Sequence, residues 1–276
     1  SSAAHIYGKK TAAAEAYTTY RHWKDAPASM KQATDRAFCE GINRILIHST
    51  TATRPQDGKP GYEYGAGTHF NPNVTWWNKS GAFLTYLARC QYLLQQGNFV
   101  ADVLYYNGDW APNIVAAKHV NLSLGKGFDY DACNEEILLQ KLSVKNNQLI
   151  LPGGMSYRLM VLPETDRMPL PVLKKIRQLV NEGATIAGPR PSIDSGLKNH
   201  PACDKEIEKI AAEVWGKCDG KTITENNFGK GKIYWGKPLI EILIAANVKP
   251  DLLYAGNSAT TFIDYIHRKE NDDDIY

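Results

Sequence analysis

Along the first hundred residues the apolar positions alternate between short β-rich runs and longer stretches with helical spacing. Residues 4–15 (AHIYGKKTAAAE) read as a strand that delivers the Glu15 carboxylate to its C-terminal end, with Ala16, Tyr17 and Thr18 as the turn beyond. Residues 29–41 (SMKQATDRAFCEG) carry helical spacing, and 42–49 (INRILIHS) is a second β-rich run ending in His48. The handedness of βαβ units and the adjacency of successive strands predict a parallel pair. Glu15 and His48 are therefore expected to open onto one rim, the place where β/α proteins do their chemistry.

The stretch 50–75 is long, polar and rich in Gly, Pro and aromatics, the kind of loop that carries function. It leads into 76–97, the strongest helix pattern in the chain. Phe83, Leu84, Leu87, Tyr92 and Leu94 form its apolar stripe, and Gly97 is its stop. Residues 99–106 (FVADVLYY) then make a continuous apolar run of the buried-strand kind.

From there the pattern is that of a separate α/β domain. It predicts a helix at 131–140, a hairpin-like pair over 148–162 turning at Gly153-Gly154, a helix at 171–182, a strand at 184–188 and a helix at 203–215. A Gly229-Lys230-Gly231 turn, a strand at 232–236 and a helix near 239–246 follow. This alternation predicts an open, mostly parallel doubly wound sheet of flavodoxin-like shape. The expected division is 1–98, 99–256 and a final β segment from 257 to 276. Two βα units fall far short of the eight that a barrel needs in about 250 residues. If a barrel is involved, only its last units are here; both ends read as cut, and the expectation is a fragment of a longer polypeptide.

Bulk properties narrow the function classes. With 43% hydrophobic and 10% aromatic residues the chain can bury substantial cores and reads as a soluble globular protein. A net charge of +3 with scattered Lys and Arg lacks the basic stripe of a nucleic-acid binder. No apolar run approaches the roughly 20 residues of a membrane span, and no signal-peptide pattern opens the chain. Five cysteines without CxxC spacing read as mostly buried thiols, with a Cys203–Cys218 pairing left open. Gly188-Pro189-Arg190-Pro191 follows a strand but is no GxGxxG, which argues against a nucleotide cofactor. The acidic run 270–274 lacks EF-hand spacing and reads as a solvated turn.

Glu15, held on a strand end, is a candidate general base, nucleophile or metal ligand, against the plainer reading of a solvated strand terminus. His48 is open to two readings, a ligand of sugar hydroxyls or carboxylates and a satisfied core histidine. Trp76 and Trp77, with Tyr62, Tyr64 and Phe70, supply flat apolar faces with polar edges that stack on sugars as readily as they pack a core. One tryptophan is expected in the core and one at a cleft.

Taken together, these residues make the chain resemble the α-L-rhamnosidases of glycoside hydrolase family 106. The resemblance rests on 3–9 (AAHIYGK) with 14–18 (AEAYT), 35–38 (DRAF) with 41–44 (GINR), His48 followed by Pro60-Gly61, and 73–77 (NVTWW). It continues through 86–91 (YLARCQ) with 94–97 (LQQG), 100–103 (VADV) and 266–268 (IHR). It implies the last βα units of a (β/α)8 catalytic barrel followed by a glutamine-amidotransferase-like α/β domain. It also implies calcium dependence and inverting hydrolysis of terminal α-L-rhamnosyl linkages in polysaccharides or glycosides by a pair of glutamates. Glu15 matches the later glutamate, on the seventh barrel strand, and takes the role of general base; His48 falls on the eighth. Thr18, His48, Tyr62, Trp76 and Trp77 become the expected substrate-binding set. The general acid and the calcium ligands are expected upstream of Ser1, no metal ligand is assigned, and the chain alone is expected to be inactive. A periplasmic or extracellular location follows from the substrate class. Two alternatives stay open: a carbohydrate-binding or scaffold module without catalysis, and a related specificity such as β-galactosidase.

Overall fold

The computed structural model describes residues 1–116, 124–256 and 261–276. In chain order its elements are α1 (Ser2–Ile6), β1 (Ala13–Ala16), α2 (Pro27–Cys39), β2 (Arg44–Ile47), α3 (Gly81–Leu94), β3 (Asn98–Phe99), β4 (Val103–Tyr106), β5 (Tyr130–Cys133), α4 (Glu135–Gln140), β6 (Ser143–Lys145) and β7 (Gln148–Ile150). They continue with β8 (Ser156–Tyr157), β9 (Leu159–Val161), α5 (Leu170–Glu182), β10 (Thr185–Ala187), α6 (Ala202–Trp215), β11 (Glu225–Phe228), β12 (Gly231–Tyr234), α7 (Leu239–Ala245), β13 (Arg268–Glu270) and β14 (Asp273–Ile275). They group into two compact units. One holds Ser1, 10–97 and 264–276, the other 2–9 and 98–263. Residues 2–9 thus go with the second unit and 264–276 with the first, and the opening of the expected 257–276 segment, 257–260, lies outside the described residues.

In the first unit β1 and β2 pair in parallel, with Glu15 opposite Leu46 and Ala16 opposite Ile47. The run 4–15 is not one strand: Ser2–Ile6 is helical, and only Ala13–Ala16 is extended. An alanine run favours helix intrinsically, so tertiary contacts decide here. The buried Asn43 accepts from the Ala12 amide at 2.8 Å and donates to the carbonyls of Lys10 (2.8 Å) and Leu94 (2.9 Å). That holds the entry of β1 against β2 and the end of α3 at once. Helix α2 starts with Pro27 at its first turn and buries Met30, Thr34 and Phe38, a four-residue spacing that keeps one face inward. Helix α3 is shorter than the expected 76–97 and buries Phe83, Leu87 and Leu94; Leu84 and Tyr92 of the predicted stripe are exposed. Arg268, nearly fully buried, donates to the carbonyls of Gln96 and Gly97 at 2.7 Å each, satisfying acceptors of the turn that follows α3. Gly97 has φ +55°, and a Cβ there would stand 2.1 Å from the Lys269 carbonyl oxygen, so only glycine fits.

The second unit is built on a six-stranded sheet in the order β11-β12-β10-β9-β4-β5, parallel except for β11. Its inner strands are apolar without alternation, with Val103, Leu104, Leu159, Met160, Ile186 and Ile233 all at most 1% exposed, as expected for a sheet covered on both faces. Helices α4, α5 and α6 pack in sequence beside it. A three-stranded antiparallel sheet, β6-β7-β8, carries the turn through Gly153-Gly154.

Two further sequence expectations change. Residues 131–140 divide into β5 and α4, because Asn134 caps the helix by accepting from the Ile137 amide at 3.1 Å. The run 99–106 breaks into β3 and β4 around Ala101-Asp102, where the Asp102 carbonyl accepts from the amides of Arg158 and Leu159 (2.7 and 3.1 Å). All five cysteines are free thiols, so Cys203 and Cys218 do not pair.

Candidate functional site

The parallel pairing of β1 and β2 brings the loops 17–26 and 48–76 out at one end of the first unit. They clamp each other through the backbone. Gly67 donates to the Thr19 carbonyl (2.6 Å), and Thr68 donates to the carbonyls of Tyr17 and His48 (2.9 Å each). The buried Asp25 anchors the shorter loop, accepting from Thr19 Oγ1 (2.5 Å) and Ser29 Oγ (3.1 Å). Its carbonyl accepts from Trp76 Nε1 at 2.9 Å. The Tyr17 hydroxyl meets Thr34 Oγ1 at 2.7 Å, and burial pushes its pKa up.

Glu15 is the third residue of a four-residue strand and is solvent-exposed. Thr18 Oγ1 donates to its Oε1 at 3.1 Å, so the turn hydroxyl aims the carboxylate. His48 is half-buried, its Nδ1 shielded and without a hydrogen-bond partner, and its ring meets Tyr64 edge-on at 5.3 Å. Gly67 lies against it: with φ +97°, a Cβ there would stand 2.7 Å from His48 Nδ1. Tyr62 is half-exposed, and its hydroxyl accepts from Arg54 Nη2 at 3.1 Å. Trp76 and Trp77 are both half-buried and both meet Phe70 edge-on, at 5.3 and 5.6 Å. Trp76 spends its one donor on the Asp25 carbonyl and is a packing residue.

The same loops bring together three residues that the sequence did not single out. His22 Nδ1 stands 2.5 Å from Glu63 Oε1, and His69 Nε2 stands 3.3 Å from the same oxygen. The three donor atoms all lie within 4.8 Å of one another. Trp23 stacks on His69 at 4.0 Å, fixing a ring that is only 2% exposed. No spacing motif links these positions; the available signal was the recurrence of histidine in the segments that follow β1 and β2. Two imidazoles and one carboxylate do not fit calcium, which takes six to eight oxygen ligands.

In the second unit, β4 is flanked by β5 on one side and β9 on the other, the switch point where open α/β sheets form ligand crevices. A cavity of about 290 Å³ lined by Asp109, Trp110, Thr165, Arg167 and Ser195 follows these strands. Ser195 Oγ donates to Asp109 Oδ2 at 2.7 Å.

A family model described as alpha-L-rhamnosidase, that of glycoside hydrolase family 106, matches residues 1–276. The chain belongs to this family. Among solved structures, the rhamnosidase from Novosphingobium sp. PP1Y superposes on 99% of the chain with a TM-score of 0.86 and 28% identity. A Formosa agariphila protein provisionally named a beta-glucuronidase is 35% identical over 277 residues, covering the whole chain. The chain spans only 22% of the Formosa protein and 26% of the Novosphingobium rhamnosidase. Gan42B, a GH42 beta-galactosidase, matches 95% of the chain and 46% of its own length at a TM-score of 0.53 and 12% identity, a likeness of fold alone.

Proposed function

We propose that this chain serves the inverting hydrolysis of terminal α-L-rhamnosyl linkages, with Glu15 as general base. The observation that carries the reading is the family match along residues 1–276; the exposed Glu15 carboxylate, held on β1 and aimed by Thr18, supports its residue-level form. Glu15 takes a proton from the water that attacks the anomeric carbon. An opposing carboxylic acid, about 6.5–9.5 Å away, protonates the departing oxygen. In this reading β1 and β2 are the end of a (β/α)8 barrel, the six-stranded unit is the flavodoxin-like, amidotransferase-like domain, and the acid lies on a strand before Ser1. The 276-residue chain alone is then inactive, which its 22–26% share of its relatives' length supports.

His48 offers one donor and one acceptor to sugar hydroxyls, and Tyr62 and Trp77 offer faces to its C–H surface. Calcium, implied by the family, would be held by oxygen ligands beyond the His22-Glu63-His69 group. Export to the periplasm or medium follows from the substrate class.

The name of the Formosa relative favours a second reading, the same chemistry on a uronoside. The test is release of rhamnose from an aryl α-L-rhamnoside, and of glucuronate from an aryl β-glucuronide, by the natural-length polypeptide and its Glu15→Gln variant. Loss of rhamnose release by about 10² or more with an unchanged melting curve is the expected result. Glucuronate release alone would select the second reading, and unchanged turnover would leave Glu15 a structural strand residue. Sugar binding with release of neither product would return the chain to a non-catalytic binding module.

A further inference from the structure

We infer that His22 Nδ1, Glu63 Oε1 and His69 Nε2 form a three-ligand site for a borderline divalent transition metal of the zinc class, distinct from any calcium site. Imidazole nitrogen with one carboxylate oxygen is the set that zinc and its neighbours accept, and a nitrogen-rich set is poor for a hard, oxygen-seeking cation. Metal–ligand bonds of about 2.0–2.2 Å in a tetrahedron put donor atoms about 3.3–3.6 Å apart. The His69–Glu63 pair already stands at 3.3 Å, the His22–Glu63 pair, at 2.5 Å, would open by about 1 Å to admit an ion, and the His22 and His69 nitrogens lie within 4.8 Å of each other.

A hydrogen-bonded clasp explains the group less well. His22 Nδ1 is shielded from solvent and close to Oε1, yet it makes no hydrogen bond in acceptable geometry. One carboxylate oxygen therefore faces two ring nitrogens while one of them stays unsatisfied, an arrangement that a cation between them resolves. Support around the ligands is also present. Trp23 fixes the His69 ring, and the 2.6 Å Gly67–Thr19 backbone bond ties the His22 loop to the Glu63–His69 loop. Three protein ligands leave a fourth position open. The half-exposed His22 and Glu63 put that position at the solvent edge, where water or a substrate oxygen can reach it.

The natural-length protein, stripped with a chelator and dialysed, would be titrated with Zn(II) by calorimetry and with Co(II) by visible absorption. Wild type is compared with His22→Ala, Glu63→Gln, His69→Ala and, as a control away from the cluster, His200→Ala, an exposed histidine. One Zn(II) per chain that the His200 variant keeps and each cluster variant weakens by about 100-fold or more is expected, with a four-coordinate Co(II) spectrum lost in the same variants and calcium unable to displace the metal. His22 and Glu63 are partly exposed, so their variants decide the matter even if His69→Ala folds poorly. Zn(II) affinity and Co(II) spectrum unchanged in His22→Ala and Glu63→Gln, or displacement by calcium, would overturn the assignment.

Discussion

Each unit holds a histidine–carboxylate cluster, and the two have opposite characters. In the second, Asp131 is 1% exposed and fully used: His5 Nδ1 meets its Oδ1 and the Tyr157 hydroxyl donates to its Oδ2, both at 2.9 Å, while His5 stacks on Phe99 at 4.4 Å. In the first, Glu63 is 46% exposed, two imidazoles compete for one of its oxygens, and a ring nitrogen is left over. The side-chain types are nearly the same; burial and completeness of pairing differ. A polar network closed on itself in a low-dielectric interior specifies a fold. One left incomplete at the surface keeps donors for a ligand.

The comparison breaks most sharply at Asp131. Asp131→Ala strands a buried imidazole and a buried phenol, and leaving such groups unpaired is expected to cost about 3–5 kcal/mol of stability. Urea unfolding followed by near-UV circular dichroism measures it. A loss below about 1 kcal/mol would mean that the closed network contributes as little as a surface pair.

Alkaline titration probes the same region with a smaller effect. Burial, then the neighbouring Asp131 charge, pushes the Cys133 thiol up to about 12 and the Tyr157 phenol above its ordinary range. Both groups stay neutral in the folded chain while the unfolded chain ionises, at about pH 9 for the thiol and about 10 for the phenol. Raised folded values mean that this stability is complete below about pH 9 and declines as pH climbs toward 12, by up to roughly 1.4 kcal/mol per pH unit for each group. Unfolding midpoints from pH 8 to 11 should fall along that window, and Tyr157→Phe should flatten the part above pH 10. An equal slope in the Phe variant would remove Tyr157 from the account.

How far each cluster could be read from the sequence follows from how local its causes are. Helix α5 repeats its apolar positions in register, burying Val172, Leu173, Ile176, Leu179 and Val180, and the expected 171–182 differs from the observed element by one residue. Strands β10 and β12 announce themselves by β-branched residues between Gly183 and Gly188 and after Gly229. Glu15 was legible as a residue of a strand's C-terminal half because the turn begins two residues beyond it, at Tyr17; Ala16, expected in that turn, is the last residue of the strand. The helix at 2–6 was not, since its buried face, His5 and Ile6, is created by β5, some 125 residues away in the chain. His22, Glu63 and His69 were invisible for the same reason. They sit in loops with no period to read, and they meet only because β1 and β2 pair in parallel and the loops beyond them bond backbone to backbone.

The smallest expected effect sharpens the contrast from the other side. In metal-free protein Glu63→Gln removes a half-exposed charge from a cluster whose pairing is already incomplete. An exposed ion pair contributes about 0–1 kcal/mol, so the melting temperature should move by no more than about 2–4 °C, against the large loss at Asp131. Adding Zn(II) turns the same substitution into a visible one, because a ligand that binds only the folded state raises its stability by RT ln(1 + [L]/Kd). Wild type should then gain stability steadily with free metal while Glu63→Gln gains little. If instead the substitution destabilises the metal-free protein by several kcal/mol, the first cluster is a closed structural network like the second, and the difference between the two units disappears.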